Sequence, residues 1–174
     1  GWGVVNAVTV SNIGIIGFPK GRIVLLKQFT YEGFIFYTNY NSEKGRAIAN
    51  NPNIFLSFFW HSLERQVIIK GIAEKTSENI SDGYFESRPN GSKLGAIVSN
   101  QSEIIPSRTI LEENLKLLEK DFEGMEIQRP KYWGGVIVQP IEIEFWQGRP
   151  NRLHDRIRYH LQDDFSWKTD RLSP

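Results

Sequence analysis

Runs of alternating or β-branched residues recur along this chain with only two to eight residues between most of them, which leaves little room for the crossover helices that parallel strands require. Val4 to Ile16, Arg22 to Phe29 and Phe34 to Thr38 are separated by the turn signals Gly17 Phe18 Pro19 Lys20 Gly21 and Tyr31 Glu32 Gly33, and predict a β-meander. Further strands are predicted over Ile54 to Trp60, Gln66 to Glu74, Trp133 to Val138, Ile141 to Gln147, Arg156 to Leu161 and Ser166 to Arg171. Helical spacing is confined to three stretches. Glu43 to Asn50 follows Ser42 as N-cap and stops at Asn51 Pro52, and Ser81 to Ser87 stops before Pro89, with Arg88 to Ser92 as a turn. From Ser107 to Phe122 the apolar residues Ile110, Leu111, Leu115, Leu117, Leu118 and Phe122 recur at helical spacing with charges between. Many short antiparallel strands with a few peripheral helices predict a mainly β protein built as a small barrel.

With 174 residues, one domain spanning 1–174 is expected, long enough to bury a core. A formal charge of +1 provides no long-range field for nucleic acid, so basic clusters must act locally. No cysteine and three histidines, His61, His154 and His160, exclude disulfides and thiolate chemistry and argue against a metal centre. There is no GxGxxG and no GxxxxGK[ST], and no apolar run long enough to span a bilayer. A cytoplasmic protein without membrane contact is expected, with idle sequons at Asn79, Asn90 and Asn100. The chain opens on Gly1 rather than methionine, and a preceding natural segment is expected.

The most pointed chemistry lies near the C-terminus. In an extended segment Arg152, His154 and Arg156 project to one side while Leu153 and Asp155 face the other, six residues after Trp146. A planar anion suits that face, since guanidinium groups both bind phosphate and stack on rings; a solvated strand edge is the alternative. Arg22 and Lys27 bracket the apolar Ile23 Val24 Leu25 Leu26, on opposite faces if the strand is regular. Tyr84 and Arg88 share a helical face with Ser92 just beyond the turn, which makes either a monophosphate cradle or an ordinary helix end. Ser42 and Lys44 at a helix N-terminus suit an anion. Gln66, Gln101 and Ser102 can read a ring edge but are common on surfaces, and Trp60, Trp133 and Trp146 are more often core than stacking platforms.

Taken in order, Arg22 to Lys27, Phe36 Tyr37 Thr38 Asn39, Trp60 His61 Ser62 Leu63 Glu64 Arg65 Gln66 Val67, Tyr84 Phe85 Glu86 Ser87 Arg88 Pro89, Gln101 Ser102, Phe145 Trp146 Gln147 Gly148 and Arg152 Leu153 His154 Asp155 Arg156 closely resemble the pyridoxamine 5′-phosphate oxidase family. The resemblance runs from about Asn6 to Pro174. It implies an FMN-binding split β-barrel, homodimeric, with the flavin in a groove between subunits. The implied reaction is oxidation of pyridoxamine 5′-phosphate or pyridoxine 5′-phosphate to pyridoxal 5′-phosphate in vitamin B6 metabolism, with O2 as acceptor and H2O2 as by-product.

By the same resemblance, flavin contacts fall on Arg22, Ile23, Val24, Leu25, Leu26, Lys27, Tyr37, Thr38, Lys44, Gln66, Gln101, Ser102, Trp146 and Arg156. Substrate contacts fall on Lys27, Tyr84, Arg88, Ser92, Arg152 and His154, with Arg152 and His154 holding the reacting ring as the catalytic pair. Two departures stand out. Glu43 occupies a position where the family usually has Arg, so either Glu43 points away from the phosphate or Arg46 supplies the charge, and weaker FMN affinity is implied. An N-terminal segment that helps cover the substrate in the family is not in this sequence. The competing readings are a relative acting on another substrate, such as a phenazine-pathway member, and a non-enzymatic FMN- or pyridoxal-phosphate-binding protein. Tyr84, Arg88 and Ser92 weigh against the first, because they suit a phosphorylated ligand.

Overall fold

Alternation of buried and open residues, the mark of a half-covered strand, is sharpest at Ala7–Ile13 (β1), where Val8 and Val10 are buried and the residues between them are not. The computed structural model describes residues 4–174, so the reading of Gly1 lies outside the described residues. They contain nine strands, four α-helices and two short 3-10 turns, and they divide into two compact units.

The first unit comprises the described residues up to Phe36, Ala47–Glu74 and Ile137–Pro174. β1 pairs antiparallel with Pro19–Leu25 (β2) on one side, Val8 opposite Val24, and with Asn53–Trp60 (β5) on the other, Val10 opposite Leu56. β5 turns back through His61–Leu63 into Arg65–Lys75 (β6), with Glu64 in the left-handed region at φ 49°. Gln28–Phe29 (β3) pairs antiparallel with Phe34–Asn39 (β4). Gly33 between them has φ 151° and lies so close to the Val138 carbonyl that no Cβ fits there. Trp133–Gln147 (β7) pairs over Glu142 to Gln147 with Asp155–Leu161 (β8), which pairs in turn with Trp167–Arg171 (β9). The sheet order is β2-β1-β5-β6-β7-β4-β3, with β8 on β7 and β9 on β8. Val8, Val10, Leu56, Phe58 and Ile69 form the buried face of this unit, each worth about 1.5–3 kcal/mol relative to exposure.

The second unit comprises Tyr37–Arg46 and Lys75–Val136. It holds the start of Glu43–Asn50 (α1) and all of Glu78–Ser87 (α2), Asn90–Val98 (α3) and Arg108–Asp121 (α4). Ser77 caps α2 by accepting from the Ile80 amide at 3.4 Å. Phe85, Leu94, Ile127 and Trp133 make its core, with Tyr37, Tyr84, Leu115, Leu118 and Phe122 packed around them.

Several expectations are corrected. Arg22 to Phe29 is two strands broken at Leu26 and Lys27, so the opposite-face argument for Arg22 and Lys27 does not apply. Trp133 to Gln147 is one strand running through Pro140, because proline costs a ladder donor but its φ still fits extended backbone. Arg88 to Ser92 is not a free turn: α3 begins at Asn90 with Pro89 as its N-cap residue. The extended reading of 152–156 holds only from Asp155 onward, since Pro150–Arg152 is a 3-10 turn with Asn151 and Arg152 at φ near 60°. Among the described residues no helix is long and apolar enough to cross a membrane, and no group of three or more His, Asp or Glu side chains could hold a metal.

Candidate active site

In the second unit, β4 delivers Tyr37, Thr38 and Asn39 to the loop that starts α1. Ser42 is fully buried and accepts from the Gly45 amide at 3.1 Å, which is the capping bond its type and position predict. Gly45 packs so tightly on the Tyr40 backbone that a side chain is excluded there. Lys44, in the first turn of α1, is only 5% exposed, and its Nζ donates to Thr38 Oγ1 at 2.9 Å. Gln101 Oε1 accepts from Thr38 Oγ1 at 3.4 Å and from the Asn39 amide at 3.3 Å, and Ser102 Oγ accepts from the Glu43 amide at 3.1 Å. Thr38, Lys44, Gln101 and Ser102 therefore converge. A buried ammonium, hydroxyls and a helix N-terminus together form surroundings suited to a phosphate-sized anion.

A second cluster of the same unit is built on aromatic rings. Tyr37 stacks on Tyr84 with centroids 3.8 Å apart, and both lie nearly parallel to Trp133, at 5.6 and 6.1 Å. Burial raises the Tyr37 phenol pKa, and the neighbouring Tyr84 and Tyr40 add to the effect, so it remains a protonated donor at neutral pH. Tyr84 and Arg88 do not share a helical face as expected. Pro89 forces Arg88 to extended backbone at the C-cap of α2, and from there its guanidinium lies 4.7 Å over the Trp133 ring. Arg88 Nη1 is buried with no hydrogen-bond partner in the protein. Ser92 is exposed in the first turn of α3, its amide bonded to the Pro89 carbonyl.

The first unit carries the remaining expected residues. Arg22 donates from Nη1 to Asn12 Oδ1 at 2.8 Å, Ile23 is 72% exposed, and Val24 and Leu26 are half-buried. Lys27 is exposed, its amide bonded to the Ile35 carbonyl. Gln66 sits opposite Phe59 on β6. Trp146 is opposite Arg156 in the β7–β8 ladder, and its ring is 4.7 Å from the His154 ring. His154 Nδ1 accepts from the Arg149 amide at 3.1 Å, which in the neutral tautomer leaves the proton on Nε2. Arg156 grips both oxygens of buried Glu144, at 2.9 and 3.1 Å, and donates to the Ser173 carbonyl. Arg152 is exposed at φ 60°. Leu26 and Lys27 also line an apolar cavity of about 560 Å³ together with Phe29, Phe58, Trp60 and Phe145.

Three participants escaped the sequence reading. Trp133 was assigned to the core by type; it is core, and it is also the surface on which Arg88 rests. Glu144, partner of Arg156, is two residues before Trp146 and on its side of the strand, so alternation could have exposed it. Arg129, joined to Glu78, Asp82 and the Trp133 carbonyl, carries no local signal at all.

Comparison with known proteins identifies the family. The profile described as "Pyridoxamine 5′-phosphate oxidase" matches residues 4–119, and that described as "Pyridoxine 5′-phosphate oxidase C-terminal dimerisation region" matches residues 133–174. The pyridoxine/pyridoxamine 5′-phosphate oxidase of Flavobacterium psychrophilum is 78% identical over 98% of this chain and 79% of its own length. That of Nostoc sp. is 55% identical over 97% of this chain and 79% of its own. Among solved structures, PhzG from Burkholderia lata in complex with tetrahydrophenazine-1-carboxylic acid superposes with a TM-score of 0.91 at 27% identity, covering 98% of this chain and 83% of that one. A pyridoxamine 5′-phosphate oxidase-related, FMN-binding protein from Nostoc punctiforme gives 0.77 at 13% identity, covering 98% and 88%, a likeness of fold alone. The mainly β, split-barrel fold with a few helices is thus the observed one, and by profile and identity the chain belongs to the pyridoxamine 5′-phosphate oxidase family.

Proposed function

We propose that this protein oxidises pyridoxamine 5′-phosphate or pyridoxine 5′-phosphate to pyridoxal 5′-phosphate, passing the electrons to O2 and yielding H2O2. FMN is the cofactor, and when bound it supplies the two-electron acceptor. The observation that carries the reading is the buried, unpartnered Nη1 of Arg88, in a family whose curated relatives are named for phosphorylated pyridines. Burying an unsatisfied guanidinium donor is costly, and a substrate phosphate removes that cost.

The residues present fit FMN. Lys44, Thr38, Gln101 and Ser102 suit its phosphate, and we assign Tyr37, the residue before Thr38 on β4, to the flavin as well. In the first unit we assign to the flavin Arg22 to Lys27, Gln66, Trp146 and Arg156; the Arg156 guanidinium is held rigid by Glu144. We assign to the substrate Lys27, Tyr84, Arg88, Ser92, Arg152 and His154. His154, oriented by the Arg149 amide and set against Trp146, and Arg152, displayed by left-handed backbone, hold the pyridine ring in place for reaction. The chain works as one domain, in the cytoplasm, as a homodimer with the flavin between two copies.

A second reading has one supporting observation, the 0.91 superposition on PhzG with its carboxylated tricyclic ligand. The discriminating experiment is to purify the protein, record a flavin spectrum, and follow O2 consumption with both B6 phosphates and with a reduced phenazine carboxylate. Turnover on the B6 phosphates alone is the expected result; turnover only on the phenazine substrate, or colour without turnover, overturns it.

A further inference from the structure

We infer that Trp133 is a positioning residue for the substrate phosphate, acting as the plate that holds the Arg88 guanidinium in its phosphate-binding pose. The inference rests on the preceding assignment of Arg88 to the substrate and goes beyond it, because Trp133 itself need not touch substrate.

Arg88 is the C-cap residue of α2 and has left the helix, so no helical neighbour fixes its long side chain. What lies against its charged end is the Trp133 face, 4.7 Å away, where the ring quadrupole attracts a cation. The plate is itself immobilised from three directions. Trp133 is 7% exposed, Phe85 packs edge-on at 5.4 Å, and Tyr84 and Tyr37 lie within 14° of parallel to it. Its backbone is pinned as well: the Trp133 amide bonds the Pro130 carbonyl at 3.0 Å, and its carbonyl accepts from Arg129 Nη1 at 2.7 Å. Arg129 also pairs with Glu78 and Asp82, both on α2. The helix that ends in Arg88 and the strand that begins with Trp133 are therefore cross-linked by one guanidinium while a second rests on the ring. A guanidinium held by a ring face keeps its in-plane N–H donors free, and Nη1 of Arg88 is the donor without a protein acceptor. Stacking on carbon rather than pairing with a carboxylate leaves the whole charge for an incoming dianion.

The test is a double-mutant cycle on the FMN-loaded protein, with Trp133→Leu and Trp133→Phe each made alone and on an Arg88→Ala background. The readouts are kcat and KM for pyridoxine 5′-phosphate, Ki for inorganic phosphate, FMN affinity by fluorescence quenching, and thermal stability. Expected for Trp133→Leu are KM and phosphate Ki each raised about fivefold, the size of one cation–π contact, with kcat and FMN affinity within about twofold. Trp133→Phe, which keeps a ring and most of the core volume, should fall between and serves if the leucine variant does not fold. On the Arg88→Ala background the Trp133 effect on KM and Ki should vanish. If Arg88→Ala raises KM and Ki but neither Trp133 variant does, the inference fails and the site assignment stands. A Trp133 effect that persists without Arg88, or that spreads to FMN affinity, marks a role in packing only and also overturns it. If Arg88→Ala itself leaves KM and Ki unchanged, the substrate assignment fails first.

Discussion

Lys44 shows how much a single side chain can be asked to do. An ammonium at 5% exposure has given up most of its hydration, and the 2.9 Å bond to Thr38 Oγ1 is among the contacts that replace it. Lys44→Met keeps the volume and removes the charge. Its expected effect is a folded protein whose FMN affinity drops on the order of 10- to 100-fold, the worth of a charge-assisted bond of about 1.5–3 kcal/mol, read by flavin fluorescence titration. Arg152 makes the opposite case, because φ 60° costs a non-glycine residue about 1–2 kcal/mol. Arg152→Gly should raise stability by about 1 kcal/mol, leave flavin retention intact and lower kcat/KM by at least tenfold, as thermal melts and steady-state kinetics would report. Spacing alone singles out both residues as anion-binding candidates, but it does not supply their partners. Thr38 and Gln101 are 63 residues apart, and only the family resemblance put them on one list before the chain was folded. The left-handed backbone at Arg152 was missed because a proline before it and a strand after it both read as extended.

At the scale of elements, strands were the legible part, since each carries its burial pattern in its own residues, as β1 and β5 do. Helix α3 was not: Asn90 to Val98 is rich in glycine and small residues, and its N-cap is a proline without a capping side chain. The connection from β7 to β8 was also opaque, because ion pairs rather than hydrophobic periodicity shape it. Asp155 accepts from Arg149 at 2.7 Å and from Arg171 on β9 at 2.8 Å, tying the turn that carries Arg152 and His154 to the C-terminal strand. Those two guanidinium bonds hold the Asp155 carboxyl below the ordinary value of about 3.9. A depressed folded-state value means stability that is present above the unfolded pKa and lost as pH falls through the folded one. Asp155→Asn should therefore melt below the parent at pH 7. The gap should close steadily under about pH 4, and melts across pH 3 to 7 would show it. A constant gap would place the aspartate's role in shape rather than charge.

For the whole molecule, the decisive property is what covers the apolar surface of the first unit. Phe29 is 74% exposed, Phe145 47%, Ile23 72% and Leu25 42%, and Phe29 and Phe145 line the same cavity of about 560 Å³. An exposed apolar patch rimmed by polar residues is the usual mark of an interface, and Phe145 falls within the segment matched as a dimerisation region. The family resemblance implied self-association but not this patch, because β3 and β7 contribute to it only after their strands have folded into register, with more than a hundred residues between them. Proposing that the flavin lies between two copies makes dimerisation and cofactor retention one event, so the two must fail together. Phe29→Asp and Phe145→Asp put charge on the patch without disturbing a buried side chain. Each should shift the sedimenting species from twice the 20.1 kDa chain mass to the chain mass itself and release FMN in parallel. Ile104→Asp, at a fully exposed position of the second unit, should change neither. Monomers that keep their yellow colour would separate the two events and place the cofactor wholly within one chain.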